Sequence, residues 1–226
     1  RESWFLFASG AASGGLFVLH QLRTAHPILR LGLFRGNPVF LKSNLAAMIN
    51  YAATFAVAFL LSLYFQLICG FTPQRAGLVL LIQPLAQTFL SPAMGKLSDR
   101  VEPRILSSIG MTVITVVLAC FIFVGPSTHL GVLSVGLAAL GIGFAFFSSP
   151  NTNAVMSSVG HRDISMASAL LSTMRVVGQI LSMGIAMLVF SLVIGRVKID
   201  ASSAPSFLSA MKVCFAAFTL LCAAGI

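Results

Sequence analysis

Apolar runs of about 19–28 residues recur along the chain, separated by short polar segments. Each run is close to the roughly 20 residues that a helix needs to cross the hydrocarbon of a bilayer. Seven spans are expected, at about 3–22, 44–69, 74–94, 104–124, 130–149, 166–195 and 207–226. Strict alternation of apolar and polar positions is absent, which argues against a transmembrane barrel. Local signals refine some boundaries. Thr72 is a good N-cap ahead of Pro73 at the first helical position. Ser165 is expected to cap the sixth span, with Asp163 favouring its positive end. Pro84 and Pro92 should kink the third span, and Pro150 is expected to end the fifth.

Polar residues inside the spans follow a second pattern. Asn50, Thr54, Ala58, Ser62 and Gln66 recur every fourth residue in the second span. Gln83, Gln87, Ser91 and Gly95 do so in the third, and Arg175, Gln179, Ser182 and Ala186 in the sixth. A four-residue step overshoots one turn by about 40°, so each stripe spirals slowly round its helix. Such stripes fit either a polar cavity wall or ordinary helix–helix contact through small polar side chains. Asn50, Tyr51 and Thr54 are the candidates for a substrate cavity. Amides, a hydroxyl and an aromatic ring without charge suit a bulky amphipathic solute better than an ion. Arg175 reads either as a snorkelling side chain or as one partner of a gating ion pair. The fourth and seventh spans hold mainly aliphatic residues, Phe, Ser, Thr and Cys, and are expected to face lipid.

Composition agrees with a membrane class: 8% of residues are charged and 58% hydrophobic, a balance that excludes a soluble domain. The net charge of +9 is topological and gives no reason to expect nucleic acid as a partner. Arg23, Arg30, Arg35, Lys42, Lys96, Arg100, Arg104 and Arg162 fall on one side of the expected topology. Arg1, Arg75, Arg196, Lys198 and Lys212 fall on the other. The richer side is expected to be cytoplasmic, which places the loops 23–43, 95–104 and 150–165 there. Residues 23–43 form a basic connector at that surface. Gly10 and Gly14 form a GxxxG in the first span, suited to close helix packing.

Cys69, Cys120, Cys214 and Cys222 show neither metal-ligand spacing nor a pairing pattern. No HExxH, GxSxG, phosphate-binding loop or dinucleotide turn occurs, so no enzyme activity, metal or cofactor is expected. Every carboxylate (Glu2, Asp99, Glu102, Asp163, Asp200) and every histidine (His20, His26, His129, His161) falls in a loop or at a span end. A proton-coupled carrier normally needs a titratable group at mid-membrane, and these residues do not supply one.

Gly95-Lys96-Leu97-Ser98-Asp99-Arg100-Val101-Glu102-Pro103-Arg104 is a charged island between two apolar runs. It holds two helix ends close together at a membrane surface, where small movements make or break polar contacts. The segment resembles the loop motif of the major facilitator superfamily, with Gly95, Leu97, Ser98, Asp99, Arg100 and Arg104 matching. Glu102 and Pro103 replace the usual glycine and arginine. Tyr64-Phe65-Gln66, Gly70-Phe71-Thr72-Pro73, Ala76-Gly77 and Ser149-Pro150-Asn151-Thr152-Asn153 add to the resemblance. Together they look like the C-terminal half of the fourteen-span drug:proton antiporter branch.

The resemblance implies an all-α integral membrane fold. Residues 1–22 would be an extra central helix, 23–43 a cytoplasmic connector and 44–226 a six-helix bundle. The first and fourth helices of the bundle would line the cavity, and the third and sixth would face lipid. The second and fifth, with Gln83, Gln87, Arg175 and Gln179, would meet an N-terminal half that is missing from this sequence. The implied function is export of hydrophobic or cationic compounds by alternating access in the plasma membrane, with proton antiport. Two alternatives stay open: a carrier of a metabolite, siderophore or lipid-like solute without proton coupling, and a truncated, non-transporting membrane protein.

Overall fold

A computed structural model of the protein describes residues 36–195 and 204–226, together with Ser13 and Leu16. Its helices are α1 (Pro38–Leu67), α2 (Pro73–Leu80), α3 (Ile82–Ser98), α4 (Pro103–Phe121) and α5 (Leu130–Ser157). A single 3-10 turn (His161–Asp163), α6 (Ile164–Val193) and α7 (Ala204–Ala224) follow. Six segments among the described residues are long and apolar enough to cross a membrane, with Pro73–Ser98, containing α2 and α3, as one of them. The expected first span and most of the basic connector lie outside the described residues.

The helix ends follow local chemistry. α1 starts at Pro38, ahead of the expected residue 44, because Asn37 Oδ1 accepts from the Phe40 N–H at 3.0 Å and Pro38 fits the first helical position. Thr72 caps α2 as expected, accepting from Arg75 N–H at 3.4 Å. The two expected kinks in the third span behave differently. The helix is interrupted at Leu81, one turn before Pro84, where the proline withholds its N–H and crowds the preceding carbonyls. Pro92 sits inside α3 without interrupting it.

Pro150 does not end α5, which continues to Ser157. A membrane helix tolerates such a proline when neighbouring groups cover the freed carbonyl, and two more polar turns are thereby added to the bundle. α6 begins at Ile164, so Asp163 occupies the cap position, without a side-chain cap bond, and Ser165 lies inside the helix.

α5 packs along α4 and α3, α1 packs along α6, and α7 crosses α4, α1 and α6. Two glycines set the closest approaches. A Cβ at Gly141 in α5 would strike the Gln83 carbonyl and Ala86 in α3. A Cβ at Gly178 in α6 would strike the Met48 carbonyl and Tyr51 in α1. Missing side chains here let backbones approach closely, which drives association where lipid leaves packing as the main force.

The core is built from Phe40, Leu60, Leu61, Tyr64, Phe65, Phe147, Phe207, Phe215 and Phe218, all essentially inaccessible. Burial is uneven between spans. Half of the most apolar stretch of α1 is buried and 39% of that in α4 and in α7, against 22% for His161–Val193 and none for Pro73–Ser98. Phe89 on α3 and Leu188 on α6 are 80% and 60% exposed.

Candidate functional site: a polar hub on the last turns of α5

The turns that Pro150 fails to stop carry the densest polar contacts between helices. Ser98, at the end of α3, is 5% exposed. Its hydroxyl donates to the Gly95 carbonyl at 2.7 Å and accepts from Asn153 Nδ2 at 3.0 Å. The same amide reaches Asp99 Oδ1 at 3.4 Å. Gly95 faces α5 directly, its missing Cβ leaving room for Ser149 Oγ. Leu97 is half-buried, whereas Asp99, Arg100 and Arg104 are exposed. Asp99 has no ion-pair partner among the described residues, so Asn153 is its contact within this bundle.

Thr152, one residue earlier, binds on the other flank. Its hydroxyl donates to the Ser148 carbonyl and accepts from Arg175 Nη2, both at 2.7 Å. The Arg175 guanidinium carbon lies 5.8 Å from the centre of the Tyr51 ring, within cation–π range. Tyr51 meets Phe144 edge to face at 5.9 Å. Finally, Asn37 Nδ2 donates to the Ser158 carbonyl just past α5. The C-terminal turns of α5 are thus joined to α3 by Asn153, to α6 by Thr152 and to α1 by Asn37.

The expected cavity residues separate. Asn50 is fully buried with its amide unpartnered at both ends. Thr54 is 4% exposed, and its hydroxyl donates back to the Asn50 carbonyl at 2.6 Å. Tyr51 is half-buried, as are Gln83, Gln87, Arg175 and Gln179.

The stripes do spiral. On α1, Asn50 and Thr54 are buried, Ala58 is exposed, and Ser62 and Gln66 are half-buried. On α6 the sense is reversed, from half-buried Arg175 and Gln179 to buried Ser182 and Ala186. Where the α6 stripe turns inward, Ser182 Oγ accepts from the Ala56 N–H of α1 at 2.9 Å. Residue spacing hinted at Ser182 but gave no means of assigning its partner. Asn37, Thr152 and Asn153 were more hidden. For Thr152 and Asn153 the sequence signals were three consecutive polar residues directly after a proline in an apolar span, and their place in the Ser149–Asn153 motif of the resemblance.

Residues 4–183 match the family described as "Major Facilitator Superfamily". The chain belongs to that superfamily. It is an all-helical, multi-pass membrane protein of a transporter family, not an enzyme family. Proteins it resembles include "Riboflavin transporter RibZ" of Clostridioides difficile (strain 630), 27% identical over 71% of this chain and 35% of the relative. "Multidrug efflux pump LfrA" of Mycolicibacterium smegmatis is 28% identical over 77% of this chain and 34% of that protein. "Multidrug resistance protein Stp" of Mycobacterium tuberculosis (strain CDC 1551 / Oshkosh) is 29% identical over 75% of this chain and 31% of that protein. The two drug-efflux relatives support the resemblance to the drug:proton antiporter branch. The chain matches about a third of the length of each of them.

Proposed function

We propose that this chain is the C-terminal part of a secondary active exporter of hydrophobic, amphipathic compounds that works by alternating access. Residues 44–226 form one transporter half, 23–43 the cytoplasmic connector and 1–22 an extra central helix. The connector ahead of Pro38, the turn between α3 and α4 and the segment leading into α6 face the cytoplasm. The observation that carries the reading is the pattern of cover. Pro73–Ser98 and α6 leave the largest apolar surfaces open, while half-buried Gln83, Gln87 and Gln179 stand on the same two spans. A second helical half laid against those spans would cover them and leave a cleft between the halves.

Asp99 then serves as the gate. It is exposed, it lies at the C-terminal end of α3, and its hydrogen bond to Asn153 is a long one. A carboxylate so placed can accept from an arginine or a helix N-terminus of the opposite half in one state and release it in the other. In the full-length transporter, Asp99→Asn is expected to lower efflux at least about fivefold, the low end of a conformational coupling energy, with normal membrane insertion. Wild-type efflux from that variant would remove the gate assignment.

A second reading, favoured by the relative named as a riboflavin transporter, is metabolite carriage by exchange or uniport without proton coupling. Proton flux stimulated by substrate in proteoliposomes would rule it out.

A further inference from the structure

Two cations lie well inside the described spans. Lys212 is exposed on α7, where it can snorkel. Arg175 differs. Its backbone is eleven residues into α6, about 16 Å along the axis at 1.5 Å per residue. Its guanidinium folds inward, over the Tyr51 ring and onto Thr152. Among the described residues no carboxylate compensates it from within a helix, since Asp99, Glu102 and Asp163 all stand at helix ends. Among the described residues one of its five N–H donors is engaged, by Thr152, and Nε is buried without a partner.

Further polar groups flank this point in sequence. Asn50, directly before Tyr51, has both ends of its amide unpartnered at zero exposure. Asn151, directly before Thr152, is 3% exposed with Nδ2 unpartnered. A buried donor without an acceptor is costly, and a cation without a counter-charge more so. Such a group favours any ligand that brings an anionic oxygen. Tyr51 and Phe144 supply an aromatic wall beside it.

We infer that Arg175, backed by Tyr51 and Thr152, is the binding point for an anionic oxygen on an aromatic substrate, so that this transporter prefers aromatic carboxylates or related anions over cations of the same size. The inference rests on the export reading for its biological role, but its chemistry is testable by binding alone. Arg175 donates to the anionic oxygen through N–H groups that Thr152 does not engage. Tyr51 holds the guanidinium flat, and Thr152 fixes its orientation while donating its own proton to Ser148. A cationic substrate would meet an uncompensated like charge at the same place.

The test uses purified full-length transporter in nanodiscs and three radiolabelled probes of matched size: 2-naphthoate, 2-naphthylmethanol and 2-naphthylmethylammonium. The wild type is expected to bind the anion at least about tenfold more tightly than the cation, as one charge-assisted hydrogen bond provides. Arg175→Gln should remove that preference while leaving the neutral alcohol within about twofold, and Arg175→Lys, which keeps the charge but not the planar fork stacked on Tyr51, should keep only part of it. Equal binding of all three probes by the wild type overturns the inference without recourse to any variant. That result would also follow if a carboxylate from another part of the transporter neutralised Arg175. An unchanged preference in Arg175→Gln overturns it equally. Charge-selective binding together with absent efflux would sink the export reading and leave the binding site standing.

Discussion

The two ends of the bundle are fastened by different chemistry. At the Tyr64 end the joint is aromatic and buried. Tyr64 is fully inaccessible and donates through its hydroxyl to the Gly125 carbonyl at 2.7 Å, tying α1 to the α4–α5 connection. Gly125 N–H in turn donates to Thr128 Oγ1 at 2.9 Å. The Phe65 ring stacks on Phe71 at 5.8 Å, and Tyr64 meets Phe65 edge to face at the same distance. At the Asp99 end the joint is a set of half-buried or exposed side-chain hydrogen bonds radiating from α5: Asn153 to Ser98 and Asp99, Arg175 to Thr152, Asn37 to Ser158.

Interhelical hydrogen bonds in membrane proteins average about 0.6 kcal/mol each, so any one of them can be exchanged at little cost. A packed aromatic cluster has no comparable second arrangement. The polar end is therefore the one suited to rearrange in a transport cycle, and the aromatic end is suited to act as its fixed reference.

The largest effect that separates the two ends is expected at Tyr64. Tyr64→Ala empties a fully buried site and leaves the Gly125 carbonyl with only the Thr128 N–H, at 3.2 Å. It should destabilise the full-length protein by on the order of 3 kcal/mol, the scale of large-to-small aromatic truncations. Thermal unfolding in detergent reads this directly. Tyr64→Phe keeps the ring and should lose only about 1 kcal/mol. If Tyr64→Ala costs no more than the polar-end variants below, the contrast between a fixed and an exchangeable end fails.

Asn37→Ala comes next. It removes both the α1 cap and the bond to Ser158, and caps of this kind contribute about 0.5–2 kcal/mol. Asn37→Ser restores an oxygen for the Phe40 N–H without restoring the donor to Ser158. Stability regained by the serine measures the cap, and the shortfall measures the α1–α5 tie.

Sequence and structure agree most where the signal is physical length and local capping. The apolar runs mark the six described spans, and Thr72-Pro73 marks the start of α2. What stays hidden is lateral. Periodicity shows that the stripes on α1 and α6 spiral, but Asn50 and Ser182 end inside the bundle because of glycine approaches such as Gly178 against Met48, which only the folded chain reveals. The hub was hidden for a related reason. Proline normally ends a helix, so Asn151, Thr152 and Asn153 read as loop, and nothing in their sequence identifies Ser98, Asp99 or Arg175 as neighbours. The motif around Asp99 was legible in the sequence through family resemblance. Its contact with Asn153 was not.

The smallest stability effect, and the sharpest for mechanism, is expected at Asn153. Asn153→Ala deletes one amide that serves two acceptors, the buried Ser98 hydroxyl and the exposed Asp99 carboxylate. The loss in thermal stability should stay below about 1 kcal/mol, because Ser98 keeps its donation to Gly95 and Asp99 remains hydrated. On the gate reading proposed above, efflux should nonetheless fall, since the amide is a hydrogen-bond partner of the Asp99 carboxylate. If the two residues act as one device, Asp99→Asn and Asn153→Ala together should reduce efflux hardly more than Asp99→Asn alone, because groups sharing a hydrogen bond are not additive. Independent, multiplying losses would mean that Asn153 serves only to pack α5 against α3, and the polar end would then be as static as the aromatic one.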